Sequence, residues 1–172
     1  MKKIEEKRTI PIKNYFILGI ICIITILLTI YVNAWIKTYK ANAYSTSPLS
    51  GYINEININE LKEPFMEINK VILYVGYTND QKLFNEEKEL LSEIQKKELT
   101  PYVIYLNVTD DKDYLSVLQE KFDIDKTDMD EAPMFIYIKD GKAEDVVNVS
   151  DKNKLTEDFM DMVKDNDLGD EY

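Results

Sequence analysis

A buried strand, a short polar turn and a helix follow one another in the middle of the chain, and they restrict the possible folds most strongly. Residues 71–77 are apolar, β-branched or aromatic, which predicts a strand covered on both faces. Thr78 and Gln81 have capping-box spacing, and Asp80 is placed to interact with the dipole of a helix over residues 80–97. This succession predicts an α/β domain.

A second apolar strand lies later in the chain, over residues 134–138, directly after Pro133. The dipeptide Asp140-Gly141 ends this strand and is a strong signal for a two-residue hairpin turn. Residues 144–149 should therefore return antiparallel to the strand.

The remaining sequence alternates between strand and helix patterns. It predicts a strand at 52–58, a helix at 60–69 capped by Asn59, a strand at 102–108, a helix opened by Asp110 and Asp111, and a last helix capped by Asp151. The element order is βαβαβαββα, over a domain at residues 52–165 that is followed by an acidic tail at 166–172. Such alternation is typical of a sheet with helices packed on it.

Residues 15–36 form a run of 22 residues without a charge. About 20 apolar residues are enough to cross a bilayer as a helix. Tyr15 at one end, and Tyr31 and Trp35 near the other, occupy the positions that interfacial aromatic residues favour. We therefore expect a single transmembrane helix, joined to the domain by a linker at residues 37–51.

A cleaved signal peptide is the alternative reading of this segment, because residues 41–43, Ala-Asn-Ala, resemble a cleavage site. Signal-peptide cores are typically about 7–15 residues long, shorter than this run, so we expect an uncleaved anchor. Five basic residues precede the span and two follow it closely. This bias predicts that residues 1–14 are cytoplasmic and that the domain lies outside the cell membrane.

The charge and the residues that are missing exclude several function classes. Seven basic residues against two acidic ones give residues 1–40 a charge of +5, so the rest carries −16 of the total of −11. A domain this acidic repels nucleic acid. The chain has no histidine and a single cysteine, Cys22, which removes the commonest general base and all dithiol chemistry. We expect no catalytic residues, no cofactor and no metal site.

The strand–turn–helix, the distant Pro133 and the Asp140-Gly141 turn together resemble the thioredoxin superfamily. Residues 74–76, Tyr-Val-Gly, before the turn resemble the bacteriocin transport accessory proteins of low-GC Gram-positive bacteria. The resemblance implies a three-layer sandwich: a central mixed sheet with helices on both faces, after the transmembrane helix. It also implies that Pro133 is cis and that redox cysteines would stand near Thr78 and Gln81, where this sequence has none.

The face that would carry the redox site is the candidate partner-binding surface. It consists of Tyr77, Thr78, Asn79, Asp80, Gln81 and Pro133. Without cysteines, the expected function is a redox-inactive binding or assembly module, with a protein partner in the cell envelope. The resemblance suggests a secretion, transfer or bacteriocin-export system for that partner.

Two other functions stay open. The domain could be a thiol-independent chaperone or the partner subunit of an oxidoreductase whose cysteines are on another chain. The loop at 123–131 contains four aspartates and a glutamate, which allows a weak calcium-dependent surface module. An EF-hand counted from Asp123 would need glycine at Asp128 and glutamate at Met134, so a solvated acidic loop is the preferred reading.

Overall fold

The computed structural model of the chain describes residues 11–61, 65, 69–125 and 127–169, without the side chains of residues 40 and 41. The chain divides between residues 41 and 42 into two compact units. The first unit is helical, and the second is an α/β domain.

The first unit consists mainly of one long helix, α1 (Ile12–Ala43), whose last two residues belong to the second unit. Its stretch Ile12–Tyr39 is long and apolar enough to cross a membrane, and its apolar side chains are exposed all round. The hydroxyls of Thr25, Thr29 and Thr38 each donate to the backbone carbonyl four residues earlier. Each of these three hydroxyls is therefore bonded within the helix.

The domain is built on one mixed sheet of five strands. The strands are β1 (Asn54–Ile56), β2 (Lys70–Gly76), β3 (Val103–Asn107), β4 (Met134–Lys139) and β5 (Lys142–Asn148). They lie in the order β1-β3-β2-β4-β5, with β3 parallel to both β1 and β2, and with β4 antiparallel to β2 and β5. A β-bulge interrupts the β4–β5 register between Tyr137 and Ile138.

Helices cover both faces of the sheet, as the resemblance implied. They are α2 (Gln81–Lys96), α3 (Tyr114–Phe122) and α4 (Leu155–Asp165). Side chains of α2 and α4 form one apolar core with Ile72 and Tyr74 of β2. Those of α3 form a second core with Leu73 and Val75, which point to the opposite face. The thioredoxin-like three-layer α/β fold is confirmed.

Helices α2, α3 and α4 end in the same way. Each is followed by a left-handed residue, Glu98, Asp123 or Asp167. The next residue then donates its N–H to the carbonyl five positions back, as in Leu99 to Ile94 and Leu168 to Val163. Leu168 is buried, so the chain directly after α4 packs into the domain instead of fraying. Residues 170–172 of the predicted tail lie outside the described residues.

The turn and the proline that identified β4 are both as predicted. Asp140 and Gly141 have φ values of 50° and 77°, which a type I′ hairpin turn requires. The peptide bond between Ala132 and Pro133 is cis.

The segment before β1 differs from the predicted free linker. Helix α1 continues through Ala43, and the residues after it pack on the domain, with Ser47 and Leu49 buried. The pattern of apolar residues could not predict that this segment packs on the domain, because a short segment with one buried leucine has no periodicity.

Two helix starts also differ from the prediction. The turn after β1 is a 3₁₀ helix (Ile58–Glu60) capped by Asn57 and not Asn59; the rest of the helix predicted to residue 69 falls largely outside the described residues. Helix α3 starts at Tyr114, so neither Asp110 nor Asp111 caps it.

Candidate functional site

The turn between β2 and α2 carries four of the six residues in the candidate surface, and a fifth, Gln81, is the first residue of α2. Asn79 has a left-handed backbone, with φ at 66°, and its side chain is exposed. Asp80 is the N-cap of α2, and its carboxylate accepts from the Leu83 N–H at 2.8 Å. The predicted capping role of Thr78 was therefore wrong, because α2 begins two residues too late for its hydroxyl.

Thr78 is bonded instead to the loop that follows β3. Its backbone N–H donates to the hydroxyl of Thr109 at 2.8 Å, and the two hydroxyls lie 3.0 Å apart. The Thr109 hydroxyl in turn donates to the side-chain oxygen of Asn107 at 2.6 Å. These bonds join the ends of two neighbouring parallel strands.

Tyr44, which directly follows α1, also contacts the turn. The Asn79 N–H donates to the backbone carbonyl of Tyr44 at 2.7 Å. The ring of Tyr44 packs edge-on against Phe84 of α2, with centroids 5.2 Å apart. The left-handed residue at the tip of the turn is therefore fixed by a main-chain bond to a distant segment.

The ammonium group of Lys152 also contacts the turn. The Lys152 ammonium donates to the Asp80 carboxylate at 2.6 Å and lies 5.3 Å from the centre of the Tyr77 ring. Burial acts to raise the pKa of Asp80, but the Leu83 N–H and Lys152 outweigh it and lower this pKa. Burial likewise acts to lower the pKa of Lys152, and the bond to Asp80 outweighs it and raises this pKa. Both groups are charged at neutral pH.

Pro133 lies beside the turn, as the resemblance implied. The pairing of Val75 with Met134 puts Pro133 next to Gly76, where β2 ends. The preceding residue, Ala132, donates its N–H to the Tyr114 hydroxyl at 2.8 Å. We call Tyr77–Gln81 together with Pro133 the turn face. Asn79 and Gln81 are exposed on it, Tyr77, Thr78 and Asp80 are half-buried, and Pro133 is buried.

The turn face contains no cysteine and no histidine, and Cys22 lies in α1. Among the described residues, no three acidic, cysteine or histidine side chains come together as a metal site would require. The acidic loop is held by Asn148, whose side chain accepts from the Asp130 N–H and donates to the Asp128 carbonyl, both at 2.9 Å.

Four residues that support the turn face were not predicted from the sequence: Tyr44, Thr109, Tyr114 and Lys152. Of these, only Thr109 could have been predicted from the sequence. It follows a strand parallel to β2, so it falls at the same edge of the sheet as Thr78. The other three come from distant segments whose packing no local pattern reveals.

Comparisons with known proteins return thioredoxins among the solved structures. Chlamydomonas reinhardtii thioredoxin f2 is 11% identical, covering 66% of this chain and 95% of its own, with a TM-score of 0.47. Mitochondrial thioredoxin 3 from Saccharomyces cerevisiae, in its oxidized form, is 17% identical over 64% and 95%, with a TM-score of 0.43. No family model and no curated protein matches the chain. The fold assignment rests on the strand order and connections described above.

Proposed function

We propose that the chain is a membrane-anchored, redox-inactive binding or assembly module that holds a protein partner on its turn face. The observation that carries the proposal is the way the turn is fixed. Bonds from Tyr44, Thr109 and Lys152 hold its backbone and its cap, while the Asn79 and Gln81 side chains are exposed at the surface.

A fixed turn favours binding for a physical reason. Ordering a mobile loop on association costs free energy, and a loop that is already held avoids that cost. The exposed amide side chains provide both donors and acceptors, and the Tyr77 ring beside Lys152 adds a flat, partly apolar area. These features suit recognition of another protein better than catalysis, because the turn face has no thiol and no imidazole.

Helix α1 would anchor the module as a single span. The excess of basic residues before the span supports a cytoplasmic N-terminus and a domain on the extracytoplasmic side. A partner in an envelope secretion, transfer or bacteriocin-export system is the proposal that follows from the resemblance to the bacteriocin transport accessory proteins of Gram-positive cells.

Site-specific photocrosslinking of the full chain in its native cells tests the proposal. One photoreactive residue replaces Asn79 on the turn face, and the control replaces Lys154, which is exposed before α4. We expect one partner to be captured from position 79 and not from position 154. Equal capture at both positions, or none at position 79, would contradict the proposed role of the turn face.

A further inference from the structure

One carboxyl group is buried in the core of the domain. Glu87 of α2 is 1% exposed, and both of its oxygens accept hydrogen bonds from hydroxyls. Ser47 donates to Oε2 at 2.7 Å and Tyr74 donates to Oε1 at 2.9 Å. Glutamate is rarely buried without a cation, and here its two bonded partners are neutral.

Ser47 belongs to the segment that follows α1 directly. We call residues 44–49 the juxtamembrane clip. Its contacts with the domain are the Ser47–Glu87 bond, the Tyr44 carbonyl on the Asn79 N–H, the Tyr44 ring on Phe84, and the fully buried side chain of Leu49. The clip therefore covers the Glu87 carboxyl and at the same time fixes the tip of the turn.

The charged and titratable groups around Glu87 do not compensate an ionised carboxylate. They are Tyr74 on β2, Tyr105 on β3, Glu55 on β1 and Asp80 at the start of α2. Desolvation by burial, only partly offset by the Ser47 and Tyr74 bonds, raises the pKa of Glu87 to about 7. Burial also raises the pKa of Tyr105, so this phenol stays neutral. The carboxyl is thus easier to keep buried when protonated.

We propose that the juxtamembrane clip is a pH-dependent latch, docked on the domain while Glu87 is protonated and loosened when Glu87 is ionised. Undocking the clip would open Glu87 to water, which an ionised carboxylate favours and a neutral one does not. The same opening removes the Tyr44 carbonyl from Asn79, so the tip of the turn face loosens with the clip. The latch does not depend on any partner of the turn face.

Amide hydrogen exchange on the full chain in lipid nanodiscs tests the latch directly. The reporters are the Leu49 amide, which donates to the Ser47 hydroxyl, and the Asn79 amide, which donates to Tyr44. Exchange rates are divided by the intrinsic rate at each pH. We expect protection of both amides to fall about tenfold or more between about pH 5 and about pH 7.5, and then to level off. Amides of Ile72 and Ile136 in the sheet should stay better protected throughout.

Matched variants separate the latch from a general effect of charge. Glu87→Gln should remove the pH dependence of the two reporters, whereas Glu89→Gln, at an exposed position of the same helix, should keep it. Ser47→Ala removes one donor to the carboxylate, so protection of the Asn79 amide, whose own acceptor is the Tyr44 carbonyl, should drop below the wild-type value near neutral pH even if Glu87→Gln fails to fold. The latch is refuted if Leu49 and Asn79 exchange no faster than the sheet amides, or if their protection in the wild type does not change with pH.

Discussion

The Lys152 ammonium lies 2.6 Å from the Asp80 carboxylate, and this contact joins two segments 72 residues apart in the chain. Asp80 caps α2, and Lys152 belongs to the 3₁₀ helix Lys152–Lys154 that leads into α4. One carboxylate therefore both starts a helix and ties the turn face to the C-terminal part of the domain.

Substitutions of Asp80 should separate its two roles. Asp80→Ala removes the cap and the ion pair, and we expect a loss of about 1–2 kcal/mol in the free energy of unfolding. Asp80→Asn keeps a good capping side chain and loses only the charge, so its loss should be at most about 1 kcal/mol. Urea unfolding of the full chain in detergent, followed by tyrosine near-UV circular dichroism, measures both. Equal losses would show that capping contributes nothing.

Global stability should depend on pH through Glu87. Because burial raises its pKa from 4.5 to about 7, its protonated form stabilises the fold fully below about pH 4.5, and this contribution is lost as the pH rises through about 7. The expected loss is on the order of 3 kcal/mol. Glu87→Gln should be more stable than the wild type near pH 8. In urea unfolding, its free energy of unfolding should not show this decrease with rising pH. If the free energy of unfolding of Glu87→Gln falls with pH as in the wild type, other groups cause the pH dependence.

Gly76 should not tolerate a side chain, although its backbone is an ordinary strand conformation. A Cβ at this position would lie 2.9 Å from the ring of Tyr74, which is stacked on Tyr105 and bonded to Glu87. We expect Gly76→Ala to lose about 1–3 kcal/mol by displacing that ring. Gly51→Ala is the control for steric contact, since a Cβ there has nothing within 4 Å, although its positive φ adds backbone strain. Thermal unfolding in which Gly76→Ala matches the wild type would contradict this prediction.

Asn148 should control access to the acidic loop. Asn148→Ala removes the two bonds that hold Asp128 and Asp130, each of which contributes about 1 kcal/mol. The loop should then be cut faster by a protease specific for acidic residues, by up to about thirtyfold. Limited proteolysis with mass spectrometry identifies the cut. Cleavage that stays at the wild-type rate would show that other contacts hold the loop.

The strands and helices of the domain could be predicted because their signals are local. The apolar run of β2, the Asp140-Gly141 turn and the buried stripe of α4 each follow from residues close together in the chain. Pro133 was expected beside the turn only because the resemblance to the thioredoxin superfamily implied it, and the pairing of β2 with β4 agrees.

The supports of the site could not be predicted, because they depend on contacts between distant segments. A glutamate at position 87 of an amphipathic helix normally faces solvent, and only the packing of Ser47 and Tyr74 shows that it is buried. The segment after α1 resembled a flexible linker for the same reason. Its small polar residues carry no periodic pattern, and its one buried leucine is not enough to make one.

The two edges of the sheet bear on how molecules of this protein behave when they are crowded together. An exposed edge strand is a template on which another chain can pair and aggregate. Here β1 is only three residues long, while β5 carries the charged residues Lys142, Glu144 and Asp145 beside the bulge. Neither edge offers a long, flat, uncharged strand, which disfavours pairing between the sheets of neighbouring molecules.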